Sequence, residues 1–397
     1  MTGTLCYLSA ALWGVMLLTA VGRALDAAEG STGTSQPPSS RRAAPLPLRD
    51  VLEPIRAKHD LPALAAAVVM NGRVVALDAV GLRKAGSDAK VTRDDQFHLG
   101  SCTKAMTATV IGLLVEQGKL KWDTPLAEAL PDLAGEMHAD FRKVTVRQLL
   151  RHRAGLRPNL PKGKTWRDVL TGARGVRDQR TRFARAHLSA APAYEPGTKY
   201  QYSNAGYGIL GAVVERATGK QYEAVMRAML FEPLGMTSAG FGAMGTPGKI
   251  DQPWQHRVDA KGRRRAIAPG PHSDNPDVIG PGGKVHCSMA DWAKFVTEHL
   301  PSSPRRARLL RAETRKTLHT PPPGGHYAMG WLVTQRKWGG GRVLTHAGCN
   351  TMNFAVTWLA PRRDFAVLVA TNQGGGGADK ATDTAAAALI RRFLSSK

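Results

Sequence analysis

The sequence predicts an α/β protein, α+β in its connectivity. One antiparallel sheet is assembled from both ends of the chain and flanked by terminal helices, with an all-helical lobe inserted between them. Three observations carry this prediction. A hairpin signal lies near the start, strand-like runs return only after about residue 325, and the long stretch between reads as helices and loops. With 397 residues, 43% hydrophobic and 22% charged, the chain is large enough for such a two-lobed globular domain.

Taken in order, Leu5 to Val21 is apolar and free of charge, followed by Arg23 and mostly small residues to Gly30. Residues 1–28 therefore read as a secretory signal peptide or an N-terminal membrane anchor, although the usual positive charge before Leu5 is missing. Either reading predicts export to the periplasm, the cell envelope or the medium. Residues 29–47, rich in Ser, Thr, Gly and Pro, read as a flexible linker. Leu48–His59 is an amphipathic helix that Pro54 either kinks or opens as its true first turn. Ala63–Met70 and Arg73–Val80 flank Asn71-Gly72, the strongest short hairpin signal in the chain.

The run from Ser101 to Val115 has no proline and ends at Gly118, which predicts a helix buried on most faces. From Trp122 to about Ser303 the better helices are Val144–Arg151, Tyr207–Thr218, Tyr222–Leu230 and Ala290–His299, with few strand signals. Strands then follow at Ala328–Gln335, Arg342–Thr345, Asn353–Leu359 and Asp364–Thr371, the last two a hairpin about Pro361-Arg362-Arg363. Gly374–Gly377 leads into a final amphipathic helix ending near Leu394. The α/β lobe thus covers about 48–100 and 325–397, and the helical lobe about 101–324, with a cleft between them as the natural place for a site.

The net charge of +24 favours acidic surroundings such as an acidic cell-envelope polymer, and an arginine-rich composition explains it equally well. Arginines cluster at Arg174–Arg185, Arg263–Arg265 and Arg305–Arg315 without aromatic interleaving, which argues against nucleic acid. Cys6 falls in the apolar leader. Cys102, Cys287 and Cys349 allow at most one disulfide, and their spacing fits no metal site.

Three clusters carry chemistry. Ser101-Cys102-Thr103-Lys104 places a hydroxyl and an amine one turn apart at a helix start, where backbone N–H groups favour developing negative charge. Partial burial would lower the lysine pKa and let its neutral form take the serine proton. Tyr202 and Asn204, two apart in an extended piece, would point the same way; the plainer reading is a packed turn with Asn204 as a helix cap. In that stretch Pro196-Gly197 fixes a turn, and Gly206 would mark a tight backbone approach. His346-Ala347-Gly348-Cys349 ends a strand, where Gly348 would let a substrate lie along the edge and the next N–H could join that of Ser101 in an oxyanion hole.

Together these clusters resemble the serine β-lactamase and penicillin-binding-protein family, especially its class C β-lactamase and esterase branch. Ser101-Cys102-Thr103-Lys104 resembles the family's Ser-x-x-Lys, Tyr202-Ser203-Asn204 its Tyr-x-Asn, and His346-Ala347-Gly348 the His-x-Gly form of its Lys-Thr-Gly. Leu149–Leu156, Pro233–Thr237, Gly282-Gly283 and Tyr327–Trp331 have counterparts as well. The resemblance implies a β-lactamase/transpeptidase-like fold over residues 48–397. It implies Ser101 as nucleophile, Lys104 and Tyr202 sharing the base role, and Asn204, His346 and Gly348 at the substrate. Backbone N–H groups of Ser101 and Cys349 would hold the oxyanion. No metal or organic cofactor is implied.

Two departures stand out. Histidine replaces the lysine that attracts a substrate carboxylate, which shifts the expectation from β-lactams and peptides towards esters or other small acyl compounds. Arg153-Ala154 replaces the usual Thr-Ser after His152, which puts a cap there in doubt. His152 itself reads as a structural hydrogen-bonding residue, and Cys102 as a packing residue facing away from Ser101. The expected activity is an exported serine hydrolase with an acyl-enzyme. A β-lactamase or D-alanyl-D-alanine carboxypeptidase is the first alternative, and a non-catalytic basic envelope-binding protein the second.

Overall fold

The computed structural model describes residues 44–158, 160, 166–302 and 309–394. The expected signal or anchor segment, Cys6, and the first part of the linker lie outside the described residues. The linker's end does not stay loose: Leu46 donates its N–H to the Val75 carbonyl (2.9 Å) and accepts from the Leu77 N–H (3.0 Å).

Helix α1 spans Arg49–Lys58 with Pro54 inside it, not at its first turn. The proline removes one backbone donor there, and Leu48 and Leu52 compensate by burying the apolar face. Strands β1 (Ala63–Met70) and β2 (Arg73–Gly81) form the expected hairpin. Asn71 and Gly72 both take positive φ, +50° and +70°, the conformation that a type I′ turn demands. The short strand β3 (Gln96–His98) leads through a 3₁₀ turn, Gly100–Cys102, into helix α2 (Thr103–Glu116). Every residue of α2 from Thr103 to Leu114 is buried, as its apolar composition predicts.

The inserted segment is mainly helical, through Val146–Leu150, Val176–Leu188, Asn204–Thr218, Tyr222–Met226 and Met289–Glu298. The Tyr222 helix continues as a π-helical turn, Arg227–Phe231. The segment is not purely helical, however. It carries β4 (Gly240–Phe241), β5 (Gln255–Val258), β6 (Arg264–Ile267) and β7 (Val285–Ser288). Runs of two to four residues are too short for a period of two to register, which is why the sequence pattern missed them.

The C-terminal strands are β8 (Leu332–Arg336), β9 (Gly341–Cys349), β10 (Phe354–Ala360), β11 (Phe365–Thr371) and the short β12 (Gln373–Gly374). Strand β8 starts later than expected because Gly330, at φ +78°, makes a turn in which Ala328 bonds to Trp331. Strand β9 runs four residues past its expected end, so His346, Ala347, Gly348 and Cys349 lie within a strand. Alanine and glycine are poor strand formers, and pairing with β10 overrides their preference. The helix Ala378–Leu394 closes the chain as expected.

The main sheet has the order β2-β1-β11-β10-β9-β8, antiparallel throughout, so β1 near the start pairs with β11 near the end. On one face, Leu48 before α1, Leu52 within it, and Ala381, Ala385 and Leu389 of the last helix pack on Leu64, Val68, Val367 and Val369. On the other face lies the larger core around α2. Helix Met289–Glu298 packs on β1, β2 and β11, so it belongs with the sheet and not with the helical lobe assigned to about 101–324. Two small sheets, β12-β5-β6 and β3-β7-β4, brace the region between sheet and helices.

The helical side is tied by one buried cation. Arg180 is fully buried and donates to Glu215 (2.5 Å), to Glu223 and to the Asp277 carbonyl (3.1 Å), joining three helices and the loop before Gly282. Arg180→Ala strands two carboxylates with little water, and a loss of about 3–5 kcal/mol is expected in urea unfolding. Arg180→Lys should recover only part of it, since one ammonium cannot match the planar fork. A loss below about 1 kcal/mol would contradict this role.

Candidate functional site

The site forms where β9 outruns its neighbour. Pairing with β8 stops at Thr345, whereas β10 stays paired with β9 to Cys349. The last residues of β9 therefore run on beside the Gly100–Cys102 turn. The two backbones touch so closely that neither Gly100 nor Gly348 can carry a side chain. A Cβ on Gly348 would fall 2.6 Å from the Ser101 nitrogen, and one on Gly100 (φ +49°) would fall 2.5 Å from the Cys349 nitrogen. The Ser101 turn itself thus requires glycine at position 348. The same contact brings together the backbone of Ser101 and Cys349, the two expected oxyanion donors.

Two side chains meet at the Ser101 Oγ, and a third holds one of them. The Lys104 Nζ lies 3.0 Å from the Ser101 Oγ, and the Tyr202 hydroxyl donates to the same oxygen at 2.8 Å. The Asn204 Oδ1 accepts from Lys104 at 2.8 Å. Tyr202 and Asn204 converge by a different route from the one expected. Ser203 is the N-cap, accepting from the Gly206 N–H at 3.3 Å, and Asn204 is the first helical residue. Freed from capping, the Asn204 amide turns to the lysine. Gly206 makes no tight approach; its nearest foreign neighbour would be an ordinary 3.6 Å contact, so its use is the capped N–H.

A third acceptor for Lys104 was not visible in the sequence. The Gly282 carbonyl lies 2.6 Å from Nζ, and a carbonyl leaves no side-chain signature. Thr107 anchors that loop by donating to the Pro281 carbonyl at 2.6 Å, with the Tyr222 hydroxyl 2.7 Å away. Lys104 is fully buried, and burial pushes its amine down to about 7. A neutral amine has two N–H groups and one lone pair. Asn204 Oδ1 and the Gly282 carbonyl can only accept, so they take the two N–H groups and leave the lone pair for the Ser101 proton. Burial pushes the Tyr202 phenol above its ordinary value, against the opposing pull of its bond to Ser101, so Tyr202 keeps its proton and donates.

His346 is fully buried, and its ring is held by bonds within the protein. Its Nδ1 lies 2.6 Å from the Ala347 carbonyl, which can only accept, so the proton sits there and Nε2 accepts from the Tyr327 hydroxyl at 3.0 Å. Burial, helped by the nearby Lys104 charge, pushes the ring down to about 3, so it is neutral at pH 7. Tyr327 in turn packs against Tyr200, Tyr202 and His152. His152, at φ +55°, accepts the Ser203 N–H at 3.2 Å and so fixes the loop bearing Tyr202. Arg153, where the family has threonine, donates to the Gly197 and Thr198 carbonyls of the same loop. There Glu195-Pro196-Gly197-Thr198 makes the expected turn, with Gly197 at φ +91°.

Among the described residues no disulfide joins any two of Cys102, Cys287 and Cys349. Cys102 is buried with its Sγ on the His346 carbonyl at 3.4 Å, and burial raises its thiol. It packs β9 and is no nucleophile.

Residues 48–392 match the family model described as Beta-lactamase. The chain is 29% identical over 339 residues to Penicillin-binding protein 4 of Amycolatopsis lactamdurans, covering 81% of this chain and 83% of that one. It is 28% identical over 329 residues to an unguisins hydrolase of Aspergillus campestris, covering 79% of this chain but only 58% of the relative's length. Among solved structures, the octameric penicillin-binding protein homologue of Pyrococcus abyssi superposes with a TM-score of 0.70 at 22% identity, over 88% of this chain and 78% of that one. The penicillin binding protein of Bacillus halodurans gives 0.67 at 22% identity, over 86% and 99%. These superpositions show the β-lactamase/transpeptidase-like fold.

The buried lysine sets a pH dependence. Below about 7 Lys104 is protonated and cannot accept the Ser101 proton; above it the lone pair is available. The rate constant for Ser101 labelling by an uncharged fluorophosphonate should rise with pH along a limb centred near 7, and Lys104→Met should lower it at least about 100-fold. A limb centred above pH 9 would contradict the assignment.

Proposed function

The chain belongs to the Beta-lactamase family of serine hydrolases, and we propose that it is an exported member working through a covalent acyl-enzyme on esters or other acyl compounds. The observation that carries this reading is the convergence of the Lys104 amine and the Tyr202 hydroxyl on the Ser101 Oγ, at 3.0 and 2.8 Å. Ser101 Oγ attacks the acyl carbon as Lys104 takes its proton. Charge builds on the acyl oxygen between the backbone N–H groups of Ser101 and Cys349. The bond to the leaving group breaks, and the proton held by Lys104 passes to the departing oxygen through the Tyr202 hydroxyl. Water then attacks the Ser101 ester with the same pair as base, releasing the acid and restoring the serine. Asn204 holds Lys104 through its Oδ1, which leaves its Nδ2 to orient the substrate carbonyl.

The preference for esters rests on His346. A neutral, buried ring bonded to Tyr327 offers no positive charge to a substrate carboxylate. The apolar leader supports export, and the net charge of +24 supports retention at an acidic envelope polymer. A second reading, β-lactamase or D-alanyl-D-alanine carboxypeptidase, is favoured by the likeness to Penicillin-binding protein 4 over most of both chains.

Intact mass after incubation with a fluorophosphonate and, separately, with benzylpenicillin distinguishes them. Fluorophosphonate labelling lost in Ser101→Ala, with no penicillin adduct, is the expected outcome. A stable penicillin adduct at Ser101 would favour the second reading. No adduct from either reagent on folded protein would overturn both and favour a non-catalytic envelope-binding protein.

A further inference from the structure

We infer that His98 and Asp274 are positioning residues that clamp the two halves of the oxyanion hole together through one buried hydrogen-bonded chain. The inference rests on the serine hydrolase reading above and adds to it residues that make no contact with substrate.

The chain can be followed atom by atom. His98 is fully buried at the end of β3, two residues before the turn that carries Ser101. Its Nδ1 accepts the Gly100 N–H at 3.1 Å, so its proton sits on Nε2, which donates to the Asp274 Oδ2 at 2.8 Å. The Asp274 side chain is 3% exposed. Its Oδ1 accepts from the Asn275 N–H at 2.8 Å and from the Asn350 Nδ2 at 2.9 Å. Asn350 immediately follows Cys349 at the end of β9. Its amide also donates to Gln255 at 2.8 Å, and its Oδ1 accepts from the Met352 N–H and the Asn353 amide, both at 3.1 Å. Gln255 is fixed in turn by the Ser273 carbonyl at 2.5 Å.

One end of this chain therefore holds the residue before Ser101, and the other holds the residue after Cys349. The two N–H groups that receive the oxyanion sit on separate elements, a 3₁₀ turn and a strand end, which meet through two side-chain-free backbones and the Cys102 Sγ on the His346 carbonyl. Glycine contact sets how close they come, but not how the peptide planes are rotated. A buried network running from the Gly100 N–H through His98 and Asp274 to the Asn350 amide fixes that rotation, and in a water-poor interior it is costly to break. Asp274 is central because a carboxylate can only accept: it fixes the His98 tautomer on one side and the Asn350 amide orientation on the other. An asparagine there would present an N–H to one of two donors.

The test uses the full-length protein, with p-nitrophenyl acetate for turnover and phenylboronic acid as a tetrahedral mimic whose oxygen enters the oxyanion hole. Turnover is expressed per Ser101 titrated by fluorophosphonate, so loss of folded protein does not count. Asp274→Asn should lower kcat about 10- to 100-fold with KM within about twofold, and should weaken phenylboronic acid by a similar factor. Asn350→Ala cuts the chain at its other end and should do the same. The double variant should be little worse than the poorer single one, because both break one chain. His98→Asn, which keeps an acceptor for the Gly100 N–H, should retain more activity than His98→Phe.

Unchanged kcat and boronate affinity in either folded single variant would overturn the inference. A purely structural role would lower the melting temperature while leaving both values per labelled serine as in the native protein, and would overturn it too. A native protein that neither labels nor turns over the ester would overturn the underlying hydrolase reading instead.

Discussion

The site depends on keeping one amine out of water. A lysine whose ordinary pKa is about 10.4 is held near 7 by complete burial, a change that disfavours its charged form by about 5 kcal/mol. Burial alone would favour expelling the side chain, since a flexible lysine usually snorkels to solvent. It stays because Asn204 and the Gly282 carbonyl take both N–H groups of the neutral amine, and the Ser101 Oγ is within reach of the third N–H of the charged form. Those two acceptors come from different elements, the start of the Asn204–Thr218 helix and the loop after Asp277. Holding them in place is what the helical side of the molecule does, through Thr107, Tyr222 and the buried Arg180.

The sheet contributes the other half. Antiparallel pairing of β9 with β10 carries Gly348 and Cys349 past the point where β8 ends, and glycine at positions 100 and 348 allows the nucleophile turn to lie against them. Side chains from the helical side and the backbone of the sheet thus meet at Ser101. Neither half would be a site alone.

Much of this was legible in the sequence where local chemistry leaves a mark. Asn71-Gly72 announced its hairpin because only residues tolerant of positive φ fit that turn. Ser101, Lys104, Tyr202 and Asn204 were found through motifs whose spacing reflects one turn of helix or one short loop. The rest failed for physical reasons. Ala347 and Gly348 disguised a strand that tertiary pairing imposes, and β4 to β7 were too short to show a period. Gly282 acts through its carbonyl. His346 was noticed through the likeness of His346-Ala347-Gly348 to a family motif, but its bond to Tyr327, 19 residues away, leaves no local mark. His98 and Asp274 are 176 residues apart, and no local pattern joins them.

The central claim is that burial brings the Lys104 amine down to about 7, so that much of it is neutral at physiological pH, while burial keeps His346 neutral and holds the Tyr202 phenol further above its ordinary value. The site would then hold little fixed charge before the oxyanion forms, which suits an uncharged acyl substrate. The most direct test is an NMR titration of protein labelled at the lysine Cε and Nζ, with the Lys104 resonance assigned by its loss in Lys104→Arg. A midpoint near 7 is the predicted result. A midpoint near the ordinary value of about 10.4 would mean that Lys104 stays charged and cannot be the base.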